Sequence, residues 1–287
     1  VLAGPFGQPR GRGWGAIRVL IAIQQEVSVL EQINLNQALS KVVYKRRLPQ
    51  LQSRLYDLQH AIFTGHIPVA IVFEGWAAAG KGSTINVLAE RLDPRGFRVV
   101  PITPPRTAET RYPWLWRFWL KIPAYGQMVV YDTSWYRRVL IERLNKTVRK
   151  REWQSAYDDI ADFEEQLAAD GTVILKFWLH VDEKEQKRRF KKLLKSKLTA
   201  WQVSEEDAAQ HKAYKKYLVA VEEMLARTDA PHAPWIIVEA TDRYFTRIKI
   251  LESIIRALEA RLGEAAPPQP PASNRKSKTR KGEAAHA

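Results

Sequence analysis

Between residues 40 and 64 the apolar positions Val43, Leu48, Leu51, Leu55, Leu58 and Ile62 recur at steps of three and four. That repeat predicts one buried face of an amphipathic helix, with its Lys and Arg residues turned to water. Five short apolar runs follow, at 68–73, 98–102, 128–131, 173–179 and 235–238, separated by stretches with helical spacing. Alternation of this kind predicts an α/β fold, doubly wound about a five-stranded parallel sheet covered by helices on both faces. A last helix is expected over 243–262, with Ile248, Leu251, Ile255 and Leu258 on one side. The pattern fails at both ends. Residues 1–39 open with Gly-Pro-Phe-Gly and Gly-Arg-Gly-Trp-Gly and read as an irregular segment. After Gly263 come four prolines and then Arg275, Lys276, Lys278, Arg280 and Lys281 against Glu283, so residues 263–287 read as a disordered basic tail.

The first strand, Val69 to Phe73, runs directly into Glu74-Gly75-Trp76-Ala77-Ala78-Ala79-Gly80-Lys81-Gly82-Ser83-Thr84 and then into a helical pattern reaching Leu92. Strand, glycine-rich turn and helix, with a Lys directly after a glycine, is the arrangement of a phosphate loop. Small residues let consecutive N–H groups curl around a phosphate, the helix start adds positive potential, and the lysine supplies charge to bridging oxygens. The candidate phosphate-binding residues are therefore Gly75, Gly80, Lys81, Gly82, Ser83 and Thr84. Gly82 stands where most such loops place a Mg²⁺-binding hydroxyl. A glycine-rich turn that binds nothing is the alternative. The third apolar run ends in Asp132, placed to hold Mg²⁺ near the phosphates or simply to cap a turn. Next come Ser134-Trp135-Tyr136-Arg137-Arg138 and Glu142-Arg143, where aromatics beside arginines suit either a nucleotide site or plain packing.

Composition narrows the classes. With 287 residues and 45% hydrophobic content, one sizeable core is expected with two appendages. The absence of cysteine excludes disulfides and thiolate chemistry, which makes a cytoplasmic setting the default. No apolar run is long enough to cross a membrane. A net charge of +15 favours polyanionic partners, whether nucleic acid, an acidic membrane surface or a phosphate polymer.

Several segments taken together resemble the family-2 polyphosphate kinases. They are Phe73-Glu74-Gly75 with Ala78-Ala79-Gly80-Lys81-Gly82, Leu92-Asp93-Pro94-Arg95-Gly96, Leu115-Trp116-Arg117-Phe118-Trp119, Asp132 with Ser134-Trp135-Tyr136, Asp162-Phe163-Glu164, Lys176-Phe177-Trp178-Leu179-His180, and Ala230-Pro231-His232-Ala233-Pro234-Trp235. The resemblance spans residues 40–262. It implies a fold of the P-loop nucleotide kinase type with a helical lid near 182–217, Mg²⁺ as cofactor, and phosphoryl transfer between inorganic polyphosphate and AMP or ADP. It also implies a homo-oligomer. On this basis Lys81, Asp132, Arg117 and Arg138 are the expected catalytic residues, Asp132 the metal ligand and Glu142 a supporting residue, while Arg188, Arg189 and Lys192 of the lid would bind phosphate.

The departures from the family pattern fall on the chemistry. Ala77 stands where the family has an aspartate, Thr133 where it has arginine, and Leu193, Thr199 and Gln202 where it has Arg, Lys and Lys. A site that works by positioning and charge neutralisation thus lacks one carboxylate and four cations, and each such loss costs roughly 10²–10³ in rate. The expected function is accordingly a polyphosphate-dependent phosphotransferase impaired by these losses. A pseudokinase that still binds polyphosphate or nucleotide is the first alternative, and a nucleic-acid-binding protein, supported only by charge, is the second.

Overall fold

The computed structural model describes residues 29–201 and 203–265; the expectations for residues 1–28, Gln202 and the tail from 266 onward fall outside them. The described residues fall into two units, one within 29–34 and one from 35 to 265. The described part of the first, 29–34, is a short turn with a hydrogen bond from Ile33 N to Leu30 O.

The second unit begins with α1 (Lys41–Thr64), started by Ser40, whose hydroxyl accepts from Val43 N, and closed at Gly65, whose N–H reaches Ala61 O. Its buried face includes Leu55, Leu58 and Ile62 as the spacing predicts, together with Tyr44, Gln52 and Gln59. The two glutamines dock the helix through main-chain atoms: Gln52 Nε2 donates to Val87 O, while Gln59 exchanges bonds with Asp93 N and O. Apolar periodicity alone does not reveal such polar seams.

The five apolar runs become β1 (Val69–Gly75), β2 (Phe97–Pro101), β3 (Met128–Asp132), β4 (Val173–His180) and β5 (Trp235–Glu239). They form one parallel sheet in the order β2-β3-β1-β4-β5. Between them lie α2 (Lys81–Ala89), the short α3 (Trp116–Trp119) and α4 (Ile141–Leu144), and α5 (Lys150–Ala169). The lid contributes α6 (Glu183–Leu194), α7 (Lys197–Ala200) and α8 (Glu205–Lys212); α9 (Tyr214–Thr228) and α10 (Arg243–Ala265) complete the unit. The helix after the phosphate loop ends at Ala89, three residues before the expected Leu92, because the chain turns there toward the Asp93–Gly96 bend.

Helices α1, α2 and α10 pack as one group, and α5 and α9 as another. With both faces covered, every residue of the central strand β1 is buried. The register Phe73↔Asp132 then brings Gly75 and Asp132 to the carboxyl ends of neighbouring strands, where parallel α/β sheets build their sites.

Candidate active site

Gly75 leaves β1 at φ +145°, and a Cβ there would lie 2.5 Å from Leu179 O, so only glycine allows the chain to turn against β4. Gly80, at φ +103°, starts α2 and accepts at its carbonyl from the hydroxyls of Ser83 and Thr84. Between them the loop is anchored from behind. Trp76 is fully buried, stacks on Tyr214 at 4.0 Å and donates Nε1–H to His180 Nδ1 at 3.0 Å. Burial pushes the His180 imidazole down to about 4, so the ring stays neutral and can accept that bond. Lys81 Nζ donates to Gly75 O at 3.0 Å and Trp76 O at 3.3 Å.

Gly80, Lys81, Gly82, Ser83 and Asp132 line one cleft of about 740 Å³, together with Ala77, Thr133, Leu193, Trp201 and Asp207. A second cavity of about 310 Å³ adjoins it, sharing Ala77, Lys81, Thr133 and Asp207 and adding Glu74, Gly75 and Arg137. Glu74 is a buried carboxyl at the foot of the loop; its Oε1 accepts from Ser134 N and Oγ, both at 2.8 Å. Burial raises its pKa to about 7, against the lowering effects of Ser134 and Lys81. Asp132 is followed by Thr133 at φ 63°, a left-handed conformation costly for a β-branched residue.

Arg117, Arg138 and Glu142 do not line the loop cleft. They meet in a third cavity of about 300 Å³, with Tyr112, Trp114, Trp135, Glu109, Arg137 and Glu152. Arg117 donates to Thr103 O at 2.9 Å and lies 3.5 Å from Glu109; Arg138 pairs with Glu142 at 3.2 Å and lies over the Trp114 ring. The Nε atoms of Arg117, Arg137 and Arg138 are buried without a hydrogen-bond partner, and Arg137 Nε lies 3.7 Å from Glu142 Oε1. Arg137 lines both this pocket and the cavity behind the loop, and its guanidinium pairs with Glu206 of the lid.

The lid meets the loop through Gln186 and Gln210, which the sequence does not mark, and through Arg189, which it does. Gln210 Oε1 accepts from Ala77 N at 2.6 Å, and Gln186 Nε2 donates to Ala77 O at 3.2 Å. His211 Nδ1 holds Gln186 Oε1 at 2.7 Å. Arg189 donates to Ala78 O, Ala79 O, Ala240 O and Thr241 O, which makes it a clamp on loop carbonyls. Arg188 and Lys192 are exposed on α6, Arg188 pairing with Glu185, and neither lines the cleft. The side chain at Ala77 leaves the loop without a carboxylate, and the lid presents Leu193, Trp201 and Asp207 to the cleft.

The sequence profile of the family Polyphosphate kinase 2 (PPK2) matches residues 38–266. The chain belongs to the polyphosphate kinase 2 family. Among curated family relatives, the polyphosphate:AMP phosphotransferase of Pseudomonas aeruginosa is 41% identical over 242 residues, covering 84% of this chain and 49% of that protein. The ADP-polyphosphate phosphotransferase of the same organism is 34% identical over 81% of this chain and 75% of its own length. A polyphosphate kinase 2 crystal structure from P. aeruginosa superposes with a TM-score of 0.79 at 40% identity, covering 83% of this chain and 51% of that one. One from Arthrobacter aurescens superposes at 0.77 and 26% identity, covering 83% and 87%. The chain spans about half the length of the polyphosphate:AMP phosphotransferases it matches.

Within this polyphosphate kinase 2 domain, Lys81 and Asp132 come together as the sequence predicts. Glu74, Gln186 and Gln210 lie outside the site residues expected from the sequence, and Arg137 enters there only as one of the arginines beside aromatics. Glu74 carried one legible signal, a carboxylate at the end of an apolar strand next to a glycine-rich turn. The glutamines carried none.

Proposed function

We propose that this domain is built for phosphoryl transfer between inorganic polyphosphate and AMP or ADP, and that its lost side chains slow that reaction. The observation that carries the reading is the placing of Lys81 and Asp132 in one cleft at the carboxyl ends of adjacent strands, with an arginine-lined pocket reached through Arg137. Curated relatives whose names pair polyphosphate with AMP and with ADP support the substrate class.

Polyphosphate would lie on the loop N–H groups and Lys81, whose ammonium leaves the loop carbonyls for phosphate oxygens. The nucleotide would occupy the pocket of Arg117, Arg138 and Glu142, where the guanidinium groups supply positive charge and Trp114 lines the wall. Among the described residues no three His, Asp or Glu side chains form a ready metal cage. Mg²⁺ does not need one, since one or two carboxylates with water and substrate phosphates hold it. Asp132, with Asp207 across the cleft, fits that donor set. The ion would neutralise charge on the transferring group; the chain's own residues bind and align the two phosphates.

A pseudokinase is the second reading, favoured by the lid glutamines that grip the Ala77 peptide where the family places an aspartate. No helix among the described residues is long and apolar enough to cross a membrane. A cysteine-free chain suits the cytoplasm, and exposed Tyr56 and Phe63 beside an apolar groove suit a homo-oligomer; both belong to the same proposal.

The test is transfer from long-chain polyphosphate to each nucleotide with Mg²⁺. The expected result is slow product formation that Lys81→Ala abolishes. Product formation indifferent to Lys81→Ala would remove the loop from the mechanism.

A further inference from the structure

The cations of α6 divide between two faces. Gln186 and Phe190 are buried, and Arg189 turns inward onto the loop carbonyls. Lys184, Lys187, Arg188, Lys191, Lys192 and the capping Lys195 are all exposed. Their spacing of i, i+3, i+4, i+7, i+8 and i+11 places all six on one stripe opposite the buried residues. At 1.5 Å per residue the stripe is about 16 Å long.

A merely solvated helix face usually mixes charges, so that residues four apart attract. Here 184/188, 187/191, 188/192 and 191/195 are like-charged pairs, each of which weakens the helix. From residue 186 to 204 the sequence contains no carboxylate. Among the described residues Arg188 has a carboxylate partner, Glu185, and none of the five lysines makes an ion pair. The stripe also lies outside the cleft, whose walls include none of its members.

We propose that the outer face of α6 is a docking track for linear polyphosphate, separate from the phosphate-loop cleft. Contiguous cations bind a flexible polyanion through counterion release without demanding exact geometry. The stripe carries no aromatic side chain on which a base would stack, which favours a phosphate polymer over single-stranded nucleic acid. The identity of the polymer rests on the proposed function; the location of the track does not.

The experiment titrates labelled long-chain polyphosphate into the full chain over a series of salt concentrations. The proteins are the unaltered protein, Lys81→Ala, and K187Q/K191Q/K195Q with its Glu counterpart, each checked for an unchanged melting curve. Lys81→Ala, which removes one contact in the cleft, is expected to lower long-chain affinity less than the Gln variant does, and a larger loss in Lys81→Ala would overturn the track. The Gln variant is expected to lose at least about tenfold at low salt, and its plot of log affinity against log salt should be shallower by about 2 for three lost contacts. Should the Glu variant fail to fold, the Gln variant carries the test alone. Tripolyphosphate, too short for the stripe, probes the cleft by itself, so loss of its binding in Lys81→Ala speaks to the proposed function and not to the track. Unchanged long-chain binding in the Gln variant would overturn the track. Equal or tighter binding of single-stranded DNA of matched charge would overturn polyphosphate as its ligand.

Discussion

Burial decides the protonation of Glu74. With its pKa raised from 4.5 to about 7 in the folded protein, the native state holds a proton that the unfolded chain releases. The stability this confers is fully present below pH 4.5 and is lost as pH rises through 7. Glu74→Gln keeps an acceptor for Ser134 N and cannot ionise. Its unfolding free energy should therefore fall less than that of the unaltered protein between pH 5 and 7.5, by on the order of 1–3 kcal/mol in denaturant titrations at each pH. Parallel pH profiles for the two proteins would show that Glu74 ionises freely in the fold. Lys81 and Asp132 were legible because motif and strand end coincide at each. Thr133 was legible as a departure from the family pattern, whereas its left-handed backbone, which any side chain at that position inherits, appears only in the fold.

Elements are joined by polar contacts that their patterns conceal. Lys176 on β4 is fully buried and donates to Glu164 of α5, Tyr136 Oη and Thr228 O, each within 2.9 Å. Glu164 also accepts from Trp135 Nε1 and Tyr136 Oη, so the knot fixes the segment that carries Arg137 and Arg138. Removing one partner of such a pair strands the other charge. Lys176→Met should cost about 3–5 kcal/mol in denaturant unfolding, and adding Glu164→Gln should recover part of it. A loss under 1 kcal/mol would mean that the pair is dispensable. The strands themselves were legible to within one or two residues, because unbroken apolar runs bounded by turns have few other solutions. Of the lid, the inward-facing side was not legible. Its phase is set by Gln186, a polar residue on the buried face, and by Arg189, an arginine that faces inward. Neither betrays its direction by hydrophobicity, so the cations expected in the cleft, Arg188 and Lys192, lie outside it.

Over the whole molecule, the proposed slowing separates scaffold from chemistry. The parallel sheet order, the glycine turn at Gly75 and the strand-end Asp132 are in place, while at 77, 133 and 193 the cleft is lined by the uncharged side chains of Ala, Thr and Leu. Binding needs chiefly donors and positive charge, whereas transfer needs both phosphates aligned and neutralised together. The most direct measurement is the rate of phosphoryl transfer from long-chain polyphosphate to AMP and to ADP with Mg²⁺, comparing the unaltered chain with A77D/T133R/Q202K. Turnover is expected to be low in the unaltered chain and to rise at least about a hundredfold in the triple variant, since each restored group is worth roughly 10²–10³ when correctly placed. Fast turnover in the unaltered chain, with no gain on restoring the three residues, would contradict the proposed slowing.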